Sequence, residues 1–338
     1  MSGQFFKQAY QKVTVMYNIG IDFGGTNIVT GLVSGIKLID TISFPTQLYT
    51  DPGQTIEAIA RDIRQLLSQN GVAMEEVVSI GAGVPGTANL DTGNIEYANN
   101  IGFYHTPFCQ LLEQQLGKPV YFDNDANAAA LGEYLIEESK AKSFVLVTLG
   151  TGIGCGMILN GKIYRGVNYA EGEIGHMTIR YEGKPCNCGR RGCFEAYASS
   201  RALVEQIREE LLAHPDSVLW KLCKQELQNI NGKLFFEAVS MQDAAALQIR
   251  GQYVEYLSQG LANLINILQP EELRIGGGIS RAGEYFLPQV KERIGELIYS
   301  RTSKRNTDIR VARAYNEAGI IGAALLDTIT IQNSYIIP

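Results

Sequence analysis

The apolar positions along the chain change period several times, and each change marks an element. In "VTVMYNIGIDFGGTNIVTGLV", residues 13 to 33, two apolar stretches flank "DFGGTN", the pattern of a β-hairpin whose glycine turn begins with an acid. Residues 55 to 68 place Ile56, Ile59, Ile63, Leu66 and Leu67 on one face at helical spacing. "VVSIGAGVPG", 77 to 86, predicts a strand that empties into a glycine–proline loop. A helix over about 107 to 116 and the strand "PVYFDND", 119 to 125, follow. Strands alternating with helices predict an α/β sandwich around a largely buried sheet.

The pattern then restarts. "SFVLVTLGTGIGCGMIL", 143 to 159, is again strand, glycine turn and strand, about 125 residues after the first. Such a weak repeat predicts two similar domains, each offering a glycine turn to a shared cleft. Residues 197 to 268 read as helical, and Val254, Leu257, Leu261, Leu264, Ile265 and Leu268 keep one apolar face before Pro270. "ELRIGGGIS" then reads as a strand entering a triple glycine, and "EAGIIGAALLD" as a small-residue helix.

At 338 residues the chain is long for a single core, so two domains are expected. The balance of 29 basic against 35 acidic residues, net −6, argues against a nucleic-acid surface. The longest apolar run, 144 to 159, is broken by four glycines and predicts buried strands, with no membrane partner. No secretory signal is apparent in residues 1 to 16, which points to a cytoplasmic address where thiols stay reduced.

Three glycine turns each follow a predicted strand: Gly24-Gly25-Thr26, Gly150-Thr151-Gly152 and Gly276-Gly277-Gly278. Glycine turns are common because glycine tolerates positive φ cheaply. Three at strand ends are what phosphate oxygens need, since bare amides are the donors. No GxxxxGK[ST] occurs, and "GIGCG" lies between strands, so neither a P-loop nor a dinucleotide fold is indicated. Asp22 suits a Mg²⁺ held through water, against the plainer reading of a turn-capping aspartate.

In "FDNDANAAALGE", 122 to 133, two aspartates and two asparagines end a strand where a helix begins. An N-cap with dipole-favoured charge explains one of them. A carboxylate at a strand end in a cleft is where a general base for a hydroxyl nucleophile belongs.

His176, Cys186, Cys188 and Cys193 fall within eighteen residues. Four soft ligands with short gaps suit structural Zn²⁺ in a Cys₃His site. A disulfide set leaves an odd thiol and a strained bridge across one residue, and a catalytic thiol does not explain three cysteines. Cys109, Cys155 and Cys223 read as small hydrophobes, and His105 and His214 as surface or loop residues.

"DFGGTN", "NDANAAALGE", "LGTGIGCG", "GEIGH", "CNCGRRGCFE" and "GGGIS" occur in the order seen in ROK proteins, and the chain resembles that family from about residue 17 to 326. The resemblance implies an α/β fold of two actin-like (ribonuclease-H-like) ATPase domains with an interdomain cleft. The small domain would be 17 to 122, completed by a helix at 315 to 330, and the large one 123 to 314 with the zinc loop 176 to 195. It implies a glucokinase-like enzyme moving the ATP γ-phosphate to the 6-hydroxyl of glucose, with Mg²⁺ and structural Zn²⁺. Asp125 would be the base, and Gly86, Asn100, Asn124, Asp125, Glu173, His176 and Glu195 would bind the sugar. Asp22, Gly24, Gly25, Thr26, Asn27, Gly150, Thr151, Gly152, Gly277 and Gly278 would face the nucleotide.

Many members carry lysine where Asn27 stands, so here another residue or Mg²⁺ must meet the phosphate. Kinases for N-acetylmannosamine, N-acetylglucosamine, allose, β-glucosides or fructose share the pocket pattern, although the full CxCGxxGC makes fructose a poorer match. Family repressors place a DNA-binding segment before the core, and only about sixteen residues precede the first strand here. A homodimer or homotetramer is implied by the resemblance alone.

Overall fold

The computed structural model describes residues 16–24, 26–49, 51–98, 102–314 and 317–328. Gly25 and Asn100 lie outside the described residues, as do residues 315, 316, 329 and 330 of the expected last helix.

The first half begins with β1 (Tyr17–Phe23), β2 (Asn27–Ser34) and β3 (Lys37–Pro45), then α1 (Pro52–Gln69) and β4 (Val77–Val84). A small antiparallel sheet of β5 (Thr87–Asn89), β6 (Asn94–Ala98) and β7 (Phe103–Thr106) precedes α2 (Phe108–Leu116), β8 (Val120–Asn124) and α3 (Asp125–Ile136). The second half has β9 (Ser143–Leu149), β10 (Ile153–Leu159) and β11 (Lys162–Ile163). Helices α4 (Glu195–Ala198), α5 (Ser200–Leu211), α6 (Val218–Leu222), α7 (Gly232–Ser240) and α8 (Ala244–Leu268) follow. β12 (Glu272–Gly276), α9 (Leu287–Leu297), β13 (Asp308–Val311) and α10 (Glu317–Ala324) complete it.

The repeat legible in the sequence is a repeat of topology. One sheet runs β3-β2-β1-β4-β8 and the other β11-β10-β9-β12-β13. In each, the two hairpin connections are antiparallel and the next two strands join in parallel. The glycine turns therefore occupy equivalent positions, at the ends of β1 and β9.

Local chemistry sets the boundaries. Pro52 opens α1 behind the N-cap Asp51, whose carboxylate accepts the Gln54 N–H at 2.9 Å. Ile56, Ile59, Ile63, Leu66 and Leu67 are all buried on its inner face. The helical stretch expected over 197 to 268 is broken into five helices, with α6, α7 and α8 capped by Ser217, Asn231 and Asp243. The strand expected over 119 to 125 stops one residue earlier. Asn124 accepts the Ala126 N–H at 2.9 Å and starts α3 at Asp125.

Between the sheets, α3 and α10 cross with backbone against backbone. A β-carbon at Gly132 would lie 1.9 Å from the Ala318 carbonyl, and one at Gly322 would lie 1.7 Å from that of Ala128. Each of these small residues permits a separation that any side chain would prevent. Among the described residues, no helix is long and apolar enough to cross a membrane.

Candidate functional site

The four polar residues of "DNDAN" have separate occupations. Asn124 caps α3 and donates from Nδ2 to the Gly86 carbonyl at 3.2 Å. Gly86 has φ 80°, and a β-carbon there would meet the Tyr97 carbonyl at 1.9 Å, so only glycine fits the loop. Asp123 is buried, accepting from Asn127 Nδ2 at 2.9 Å and from Arg165 Nε at 2.7 Å. Asp125 is left with one local bond, from the Ala126 N–H to its Oδ1 at 2.8 Å.

Asp125 keeps some exposed surface yet lies deep within the protein. Its pKa is pushed up to about 7, first by burial and then by the negative charge of Asp22, with a smaller push from Glu173. Asp22, at the end of β1, is itself pushed up to about 6 by burial. Two deep carboxylates, Asp125 raised further by the charge of Asp22, give one group poised to take a proton near neutrality. The same pair suits a divalent cation, because hard oxygen donors are what Mg²⁺ takes and a cation would relieve the repulsion.

Around Asp22, the Gly24 carbonyl accepts the Thr46 hydroxyl at 2.7 Å, and the Thr26 carbonyl accepts the Thr46 N–H at 2.9 Å. This leaves Thr26 and Asn27 exposed at the turn. In the second lobe the Gly150 N–H donates to the Gly152 carbonyl at 3.0 Å, and Thr151 is exposed. Gly277 has φ 83°, and a β-carbon there would lie 2.5 Å from the Leu149 carbonyl. This close approach joins the turns that follow β9 and β12.

The Cys/His residues come together. One ligand atom from each of His176, Cys186, Cys188 and Cys193 lies within 4.8 Å of the others. Cys186 Sγ is 3.7 Å from His176 Nδ1, and Cys188 Sγ is 3.7 Å from Cys193 Sγ. Edges of that length match a tetrahedron with bonds of about 2.0 to 2.3 Å to zinc, so the donor set fits Zn²⁺. His176 Nε2 points the other way, 3.7 Å from the Glu173 carboxylate. Glu195, two residues after Cys193, accepts the Ile153 N–H at 3.0 Å and sits 3.8 Å from Arg201. It thus abuts the glycine turn at the end of β9.

A cleft of about 730 Å³ opens beside Gly150 and Gly278, lined also by Leu149, Ser200, Phe236 and Tyr285. Phe236 and Tyr285 stack at 6.0 Å and 21°. None of Ser200, Phe236 and Tyr285 carried a sequence signal beyond ordinary helical spacing. Of the unassigned histidines, His105 is exposed and meets Glu96 at 2.6 Å.

Two sheets of one topology, a glycine turn after the first strand of each and a deep carboxylate between them define an actin-like, two-domain ATPase fold. Within that class the chain belongs to the ROK family, whose model matches residues 18–328. It is 37% identical over 311 residues to a glucokinase of Halalkalibacterium halodurans, covering 91% of this chain and 94% of that one. A Thermotoga maritima glucokinase is 33% identical over 309 residues, 90% and 95% of the two chains. The crystal structure of a ROK family glucokinase from Streptomyces griseus in complex with glucose and AMPPNP aligns with TM-score 0.80 at 30% identity. The alignment covers 92% of this chain and 98% of that one.

Proposed function

We propose that the protein is an ATP-dependent glucokinase that phosphorylates the 6-hydroxyl of glucose in the cleft between its two lobes, with Asp125 as general base. The observation that carries this reading is Asp125 itself, deep at the start of α3, free of an ion-pair partner among the described residues, and with its carboxyl pushed up to about 7. Phosphoryl transfer asks mainly for positioning and charge neutralisation, and a base tuned near neutrality completes the set. The similarity to glucokinases over nine-tenths of the chain supports the same substrate.

In this reading the 6-hydroxyl gives its proton to an Asp125 carboxylate oxygen as its oxygen attacks the γ-phosphorus. The new oxygen–phosphorus bond forms while the bond to the β-phosphate bridging oxygen breaks, and ADP leaves. The amides of Gly24, Thr26, Thr151 and Gly152 face the phosphates, with Gly25, Asn27 and Gly150 belonging to the same two turns. The adenosine lies in the 730 Å³ cleft against Gly278, with Gly277 holding the turn just before it. Asp22 would help hold Mg²⁺, which neutralises phosphate charge when bound.

Gly86, Asn100, Asn124, Glu173, His176 and Glu195 satisfy the sugar's hydroxyls. A pocket that pairs each hydroxyl rejects epimers strongly, because a mispaired one strands a buried polar group. His176, Cys186, Cys188 and Cys193 would hold a structural Zn²⁺ that fixes the loop between Glu173 and Glu195. The domains divide near residue 122, and copies of the chain pair as a homodimer or homotetramer in the cytoplasm. An ADP-release assay across glucose, mannose, fructose, allose, N-acetylglucosamine and N-acetylmannosamine tests the reading. Preference for an N-acetylated sugar over glucose overturns the glucose assignment, and no hexose-dependent ADP overturns the kinase.

A further inference from the structure

Residues 164 to 173 leave the edge strand β11 of the second sheet and end at Glu173, three residues before His176. They touch the first half of the chain at three separate points. The Arg165 guanidinium binds Asp123 Oδ2 through both Nε and Nη2, each at 2.7 Å, with the two side chains 16% and 3% exposed. The Tyr169 hydroxyl donates to the Asp91 carboxylate in the turn between β5 and β6. Glu171 Oε1 accepts from Asn127 Nδ2, whose second bond goes to Asp123 Oδ1. The result is one continuous polar chain, Arg165 to Asp123 to Asn127 to Glu171. Asp123 and Asn127 flank Asp125 on both sides in sequence.

The amide of Asn127 faces two carboxylates, so its nitrogen must be the atom between them and its orientation is fixed. The strap's backbone is equally constrained. Gly166, Tyr169 and Gly172 have φ of 65°, 59° and 76°, and a β-carbon at Gly172 would lie 2.2 Å from the Cys155 carbonyl. Tyr169 holds a left-handed conformation that is uncommon for a non-glycine residue.

We propose that residues 164–173 form a strap that sets the sugar-facing wall of the cleft, and that Arg165 is the positioning residue holding it to the strand that leads into the base. The inference rests on the kinase reading. The strap's far end carries Glu173 and, through the short turn Ile174–His176, the imidazole that faces Glu173. None of Arg165, Tyr169 and Glu171 lines the cleft assigned to the nucleotide. Loosening the strap therefore shifts the sugar side and leaves the nucleotide side in place. Charge-assisted bonds carry more than neutral ones, so Arg165 dominates and Tyr169 contributes less.

The test is steady-state kinetics of Arg165→Met, Arg165→Lys, Glu171→Ala and Tyr169→Phe, with glucose and ATP varied in turn and folding checked by thermal melts. Arg165→Met should raise the glucose KM about tenfold or more with the ATP KM within about twofold, the scale of lost charge-assisted bonds. Arg165→Lys should recover part of the loss. Glu171→Ala and Tyr169→Phe should shift the glucose KM the same way by about two- to fivefold, the scale of one hydrogen bond. Equal rises in both KM values, a fall in kcat alone, or unchanged constants overturn the strap. If Arg165→Met does not fold, the two milder variants decide the matter on the same readout. Calorimetric titration of glucose without nucleotide separates the two readings. A wild type that binds glucose but transfers no phosphate sinks the kinase and leaves the variants' Kd values to judge the strap. A wild type that binds no hexose sinks both.

Discussion

The Glu195 carboxylate fills the space beside Gly152: a β-carbon there would lie 2.4 Å from Oε2, the oxygen that accepts the Ile153 N–H. The residue that leaves the Cys/His loop and the turn at the end of β9 are thus one mechanical unit. A disturbance on either side reaches the other without crossing solvent.

Gly152→Ala tests that unit. The φ of Gly152 is not in the left-handed region, so alanine imposes no backbone strain, and the Glu195 side chain can swing away at the cost of one charge-assisted bond. The fold should survive with a melting temperature within a few degrees of wild type, while kcat/KM for glucose falls about tenfold or more. Gly277→Ala is the contrast. There the obstacle is the Leu149 backbone at 2.5 Å and φ is 83°, so stability itself should drop by about 1–3 kcal/mol. Equal stability of both variants would contradict the distinction.

The pH profile follows from Asp125. A general base must be ionised, so log kcat/KM should rise with pH and level off through an apparent pKa near 7. A rate independent of pH between about 5 and 8 would remove a base of that pKa from the mechanism.

The same group has a stability consequence of opposite sense. Its pKa is raised on folding from 3.8 to about 7, so the native state binds the proton more tightly than the unfolded chain. The penalty is absent below the lower value and complete above the higher one. Asp125→Asn should therefore be more stable than wild type at pH 8, on the order of 1–3 kcal/mol after allowance for solvent in the cleft, with the gain fading towards pH 4. The loss of a charge favoured by the α3 dipole, about 0.3–1 kcal/mol, reduces the gain without reversing it. Thermal melts at the two pH values check the sign.

Metal removal should act on the sugar side. The described residues supply one Cys₃His set, so analysis should find about one zinc per chain. Stripping it with a chelator should lower the melting temperature and raise the glucose KM more than the ATP KM, because metal binding is part of the folding free energy of such loops. A zinc-free protein with unchanged melting and kinetics would contradict the clip.

What the sequence disclosed was whatever is contiguous in it. The glycine turns and the Cys/His set are local patterns, so the chemistry they suggest is legible from type and distance along the chain, whereas only the family resemblance singles out Asp125 among its polar neighbours. The repeat about 125 residues on anticipated two sheets, and the structure adds that their strand orders are identical. Arg165 was invisible because its partner Asp123 is 42 residues away and an arginine after an edge strand is ordinarily solvated. Asp123 and Asn127 could have been suspected from the excess of polar residues in "DNDAN", which one helix cap does not explain. Phe236 and Tyr285 keep ordinary helical company in sequence, and only packing turns them towards one cleft.

The most direct test compares wild type with Asp125→Asn, measuring glucose-dependent ADP release and, separately, glucose affinity by calorimetry. Wild type should release ADP stoichiometrically with glucose 6-phosphate, and the variant should lose about a hundredfold to ten-thousandfold in kcat while binding glucose nearly as well. An Asp125→Asn protein that keeps wild-type turnover would contradict the account at its centre.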